Sequence, residues 1–144
     1  ESYKDFNDFI AKLSLYDYSN KVEIVKHEKN DREYHTLMFM KQFSNEIKED
    51  VDILYFHMKG VFSGNLEKHN KETVKKWRNY LEYFNIEKWK DCIEQLKTYD
   101  TVGCLYINMW FEKYGESRMY AGNFWWSHSN YIKNLPDLNL NDIE

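Results

Sequence analysis

Apolar positions follow two rhythms along this chain. Over residues 2–14 they recur at helical spacing, with Phe6, Phe9, Ile10 and Leu13 on one face. Ser2 and Asp5 stand ahead of that face at capping-box spacing, which predicts a first helix. Tyr16 to Lys21 is polar and turn-like, and Val22 to Lys26 reads as a short strand. Asn30 and Glu33 are cap candidates for a second helix whose face is Leu37, Met40, Phe43 and Ile47. The rhythm then changes. "VDILYFH", Val51 to His57, is nearly continuous apolar sequence, as in a strand covered on both faces.

Gly60 to Lys71 is a glycine-containing loop. Asn70 is placed to cap a helix carrying Trp77, Tyr80, Leu81 and Phe84, which Asn85 interrupts. A further helix presents Trp89, Cys92, Ile93 and Leu96. Thr101 to Trp110 and Arg118 to Trp126 are strand-like around a turn at Lys113 to Ser117, which suggests an antiparallel pair. Ser127 is expected to open a short helix that Pro136 ends. Strand, helix, strand over residues 22–57 is a βαβ pattern, and such strands run parallel through a right-handed crossover. The expected class is therefore α/β, with a mixed, mainly parallel sheet flanked by helices. One domain over residues 1–136 with a polar tail at 137–144 fits the length.

Composition narrows the function. Apolar residues make up 42% of the 144 and aromatics 18%, enough for a packed core. Tyrosine (12) and tryptophan (5) are frequent, and both offer an apolar face with a polar tip suited to stacking on sugars or bases. They serve equally well as core. The net charge of −4, with no basic stripe between aromatics, argues against a nucleic-acid partner. No apolar run is long enough to span a membrane, and no signal peptide is visible. Cys92 and Cys104 have no metal spacing and read as reduced core thiols, which makes the cytoplasm the default compartment. The chain starts at Glu1 without methionine and reads as a piece of a longer protein.

Chemistry concentrates at two places. Open α/β sheets bind ligands at the carboxyl ends of their strands, and "YFHMKG" (55–60) ends a strand in His57, Lys59 and Gly60. Residues 57 and 59 share a side if the strand continues, and Gly60 lets backbone approach a ligand closely. Lys59 brings a full charge, and a nearby phosphate favours the cationic form of His57. This makes an anion site, unless Lys59 is a solvated lysine and His57 bonds a carbonyl. In "AGNFWWS" (121–127), Gly122 and Asn123 interrupt an apolar strand. Trp125 and Trp126 must then point to opposite faces, so one can be core while the other stacks on a sugar and Asn123 bonds hydroxyls. Asp50 and Asp52 form a D-x-D that precedes its strand, the wrong edge for a catalytic metal, and read as a solvated turn. No HExxH, CxxC, P-loop or GxSxG motif occurs.

"LSLYD" (13–17), "ILYFHMKG" (53–60), "VKKWRNYLEYF" (74–84), "YDTVGCLY" (99–106) and "GNFWWSHSNYIKNLP" (122–136) occur in this order. Together they resemble a widespread family of small glycosyltransferase-like proteins with a GT-A type nucleotide-diphospho-sugar fold, over about residues 8–136. The paired HxKG and GNFWW motifs are the most specific part. The resemblance implies transfer of a sugar from a nucleotide sugar to a glycan or other hydroxyl acceptor. Typical GT-A enzymes hold a divalent metal with a D-x-D after a central strand. Here His57-Met58-Lys59 takes that place, so the resemblance implies two cations doing the metal's electrostatic work, with no metal and no cofactor. The strand that holds the base would precede residue 1, so the fold is expected to be truncated at both ends. Glu116, Asp100 and His128 are the candidates for the general base that an inverting transfer needs. A carbohydrate-binding module built on the tryptophans and a structural or assembly domain are the alternatives.

Overall fold

The computed structural model describes residues 33–57, 68–111 and 115–138, with residues 21, 23 and 25 as isolated positions. The chain divides into two compact units, Glu1–Arg32 and Glu33–Glu144. The expected helix at 2–14 and strand at 22–26 lie outside the described residues, as do Lys59 and Gly60.

In the second unit α1 (Tyr34–Glu46) leads to β1 (Asp52–Tyr55). Next come α2 (Lys68–Glu82), a π-helical turn at Tyr83–Glu87, and α3 (Trp89–Leu96). The π turn sits where Asn85 was expected to break the helix. The buried Asn85 amide donates to Leu81 O (2.9 Å) and to Cys104 Sγ (3.3 Å), a side-chain insertion of the kind that disturbs a helical ladder. Four strands follow, β2 (Thr101–Gly103), β3 (Tyr106–Phe111), β4 (Gly115–Tyr120) and β5 (Trp125–His128), and then α4 (Ser129–Lys133).

The strands form a three-stranded sheet in the order β1-β5-β2 and a separate β3-β4 ribbon. Among the described residues every pairing is antiparallel, which corrects the expected mainly parallel sheet and leaves a mixed α/β class; the βαβ pattern itself needs the strand at 22–26, outside the described residues. The reason is topological. β1 and β2 do run in the same direction, but β5 returns between them and takes both sets of hydrogen bonds. Tyr55 lies opposite Trp125, which in turn lies opposite Gly103.

Helices cover both faces of this sheet. On one, Met40 of α1 and Ile132 of α4 pack with Tyr55, Ile53 and Trp125. On the other, Cys92 and Leu96 of α3 pack with Val102 and Trp126. The adjacent tryptophans thus face opposite layers, as strand alternation requires. β1 is less covered than its apolar run suggested, since Phe56, just beyond its end, is 56% exposed.

Two boundaries differ from the sequence reading. Arg118 to Trp126 is not one strand, because Gly122 (φ +96°) and Asn123 (φ +55°) turn the chain between β4 and β5. Gly122 is required twice over, since a Cβ there would lie 2.5 Å from the buried Leu81 Cδ1. Ser127 ends up inside β5, buried, with its hydroxyl donating to Asp100 O (2.8 Å). The helix starts two residues later, where Asp50 Oδ1 accepts from Ser129 Oγ (2.8 Å) and from the backbone N–H of Asn130 (2.9 Å). Asp50 is therefore a helix anchor supplied from a distant loop, and the D-x-D is not a free solvated turn.

Candidate functional site

The site grows from the end of β1. Tyr55 is buried at 2% exposure and its ring stacks on Trp125, with centroids 5.5 Å apart. Two residues on, His57 lies against Tyr55 (6.1 Å) and edge-on to Phe124 (5.8 Å). These aromatic walls fix the imidazole plane. Its Nε2 faces Gly122 O at 3.0 Å, and its Nδ1 faces Glu33 Oε1 at 3.4 Å. Both ring nitrogens face oxygen atoms.

Glu33 is the hub. Its carbonyl opens α1 by accepting from the Leu37 N–H (3.0 Å), yet its side chain makes no capping bond. The carboxylate turns away from the helix. It pairs with His57 Nδ1, accepts from the Asn123 side-chain amide, and sets its charge beside the Tyr55 hydroxyl. Asn123 Oδ1 accepts from Trp125 Nε1 at 2.9 Å, which orients the amide so that its NH2 meets Glu33. Burial, and then the charge and hydrogen bond of Glu33, hold the Tyr55 hydroxyl well above the usual phenol range. Glu33 and His57 keep 33% and 27% of their side-chain surface, so a ligand can reach the carboxylate and the ring edge.

Of the residues singled out in sequence, His57, Gly122, Asn123 and Trp125 meet here. Lys59 and Gly60 lie outside the described residues. Trp126 does not join the group, because its indole N–H donates to Asn85 O (2.8 Å) and its ring packs in the opposite layer. The three general-base candidates are dispersed. His128 is at the far end of β5, about 10 Å of strand from Trp125. Its Nδ1 lies 2.8 Å from Asp52 Oδ1, and its Nε2 meets Leu96 O at 2.8 Å. The Leu96 carbonyl first, then the charges of Asp52 and Asp50, raise its pKa against an opposing effect of burial. Asp100 is exposed at the start of β2. Glu116 stands on the ribbon, where Asn108, Arg118 and the charge of Arg118 hold its carboxyl below the usual range.

Sequence reading placed Glu33 only as a helix cap. Its partners lie up to 90 residues away, and no local spacing marks them. Cys92 and Cys104 are free thiols. Burial is the leading cause holding both above the usual thiol range, the signature of inert core thiols. Among the described residues no group of three His, Cys, Asp or Glu could hold a metal ion, and no helix is long and apolar enough to cross a membrane.

A family model described as a domain of unknown function, DUF8361, covers residues 4–140. The chain belongs to that family. No curated protein and no solved structure matches it. The network around Glu33 in this DUF8361 domain lies wholly within the second compact unit.

Proposed function

We propose that this chain is a glycosyltransferase, or the sugar-nucleotide-binding core of one, acting from a nucleotide-diphospho-sugar to a glycan or hydroxyl acceptor without a divalent metal. One observation carries the proposal. The Glu33 carboxylate gathers His57 by an ion pair, Asn123 by a hydrogen bond and Tyr55 by its charge into one cluster at the end of β1, immediately before Lys59 and Gly60 in the sequence. A carboxylate held by Asn123 and His57 beside an aromatic wall suits the hydroxyls and C–H faces of a sugar.

The roles follow from charge. With the Glu33 carboxylate beside His57, the positive charge for a diphosphate falls to Lys59. His57 then orients the carboxylate and pins the Gly122 turn. In an inverting transfer the acceptor hydroxyl gives its proton to the Glu33 carboxylate. Its oxygen bonds the anomeric carbon, and the carbon–oxygen bond to the nucleoside diphosphate breaks with its electron pair leaving on phosphate oxygen. Lys59 stabilises that developing charge. Glu33 replaces Glu116, Asp100 and His128 as the general base because it alone of the four adjoins His57 among the described residues.

Thermal denaturation with UDP and GDP, in EDTA and in manganese, tests this. A ligand at a hundredfold excess over Kd stabilises by about 2.7 kcal/mol, roughly 5–10 °C in Tm for a chain of this size. The rise is expected in EDTA and should vanish when His57 and Lys59 are both changed to alanine. No rise with any nucleoside diphosphate, or a rise untouched by the double change, sinks the proposal.

A further inference from the structure

The β3-β4 ribbon has two unlike faces. Its register puts Tyr106, Asn108 and Trp110 on one face with Tyr120, Arg118 and Glu116. The other face carries Ile107, Met109, Phe111 and Met119. The first face holds three aromatic rings and three hydrogen-bonding side chains, and nothing aliphatic. Trp110 is 77% exposed and Tyr106 58%. Between the rings, Glu116 Oε1 accepts from Asn108 Nδ2 (2.6 Å) and Arg118 Nη2 (3.3 Å).

At its inner end this face opens into a groove of about 410 Å3 beside β2, lined by Gln95, Tyr99, Asp100, Tyr106 and Tyr120 among others. Tyr120 forms a fixed wall. Its hydroxyl donates to Thr101 O (3.0 Å) and accepts from Thr101 Oγ1 (3.0 Å). Gly103 admits the ring, since a Cβ there would lie 2.8 Å from Tyr120 Cδ1. Tyr106 tilts against Tyr120 at 5.3 Å, and Tyr99 is 61% exposed at the other end.

We infer that this groove and the polar-aromatic face of the ribbon bind a neutral oligosaccharide, which is the glycan acceptor if the glycosyl-transfer reading on which that role rests is right. Sugars present an apolar C–H face and a rim of hydroxyls. Rings take the first, and amide, carboxylate and guanidinium groups take the second. Tyr106 and Trp110 stand four residues apart, about 13 Å along the strand, longer than one sugar ring. Asp100 and Glu116 on this surface, with a chain charge of −4, disfavour an acidic glycan. Position agrees as well. Gly103 lies opposite Trp125 and Trp125 opposite Tyr55, so the groove's inner end is two strand spacings, about 10 Å, from the Tyr55 end of β1.

The test is saturation-transfer NMR and calorimetry of the full chain with cellotriose, maltotriose, chitotriose and mannotriose, with sedimentation alongside. At least one trisaccharide should bind. Tyr106→Ala and Trp110→Ala should each weaken it about three- to tenfold. Tyr106→Phe should retain it, and Met109→Ala, on the opposite face, should change nothing. The melting response to UDP or GDP should stay intact in all four variants. No bound trisaccharide, or binding indifferent to both alanine changes, overturns the inference. So does a concentration-dependent dimer that Trp110→Ala dissolves while no sugar binds. Ring-dependent sugar binding without any nucleotide response upholds the groove and removes the transfer reading. A nucleotide response without sugar binding removes the groove alone.

Discussion

The two ends of the three-stranded sheet carry the same small device with different surroundings. At one end His57 faces the Glu33 carboxylate with Nδ1 and the Gly122 carbonyl with Nε2. At the other, His128 faces the Asp52 carboxylate with Nδ1 and the Leu96 carbonyl with Nε2. The His128 pair is as accessible, each side chain keeping 31% of its surface, but it works as a scaffold tie. Asp52 and His128 are register partners on β1 and β5, and Leu96 ends α3, so the imidazole ties three neighbouring elements together. The His57 pair belongs to a larger cluster. Glu33 also gathers Tyr55 and Asn123, and the turn it holds contains two residues with left-handed φ. An ion pair alone is therefore no mark of a site. Surplus donors on one carboxylate, beside strained backbone, distinguish the two ends.

The largest expected separation is in turnover. Glu33→Gln should lower the release of nucleoside diphosphate from a sugar-nucleotide donor by about 100-fold or more, the usual scale for losing a general base. Asp52→Asn should leave that rate unchanged. Equal losses in both would erase the distinction between the two ends.

Next comes Gly122→Ala. It adds one methyl group at a φ of +96° and drives it into Leu81. Left-handed strain and overpacking together should cost about 2–4 kcal/mol, read as a fall in the denaturant midpoint. A midpoint near wild type would mean that the turn and Leu81 give way without cost.

How much of this was legible beforehand differs between the ends as well. "YFHMKG" and "GNFWW" named His57, Gly122, Asn123 and Trp125 because each stretch breaks an apolar run with polar or glycine residues, a local signal. Trp125 and Trp126 had to diverge, since alternation in a strand is also local. Glu33 was hidden, because a glutamate ahead of a helix looks like a cap and its partners are distant in sequence. The sheet's direction was hidden for a similar reason. The parallel expectation rested on the strand, helix, strand pattern over 22–57, and nothing in β5's own sequence announces that it returns between β1 and β2. Asp50 and Asp52 misled in the opposite sense. Their spacing suggested a solvated turn, whereas Asp50 anchors α4 and Asp52 pairs with His128.

A smaller effect should mark the structural end. Asp52→Asn should cost about 1 kcal/mol of stability, allowing for solvent screening of a partly exposed pair, with the nucleotide response intact. A lost nucleotide response would move the site to this end.

The smallest effect is one of pH. The folded pKa of His128 is raised above 6.5, first by the Leu96 carbonyl and then by Asp52 and Asp50. Its stabilisation is thus fully present below the unfolded value and is lost as pH rises through the folded one. Tm should decline over that window, and His128→Gln should flatten the decline. A decline of the same slope in the variant would assign it to other groups.

The comparison meets its sharpest test in the imidazole 1H–15N NMR spectrum, titrated with UDP and with GDP in EDTA. The His57 ring resonances should move with either nucleotide, while those of His128 stay where they are. Both histidines unmoved, or His128 moving while His57 does not, would contradict a sugar-nucleotide site at the Glu33 end of the sheet.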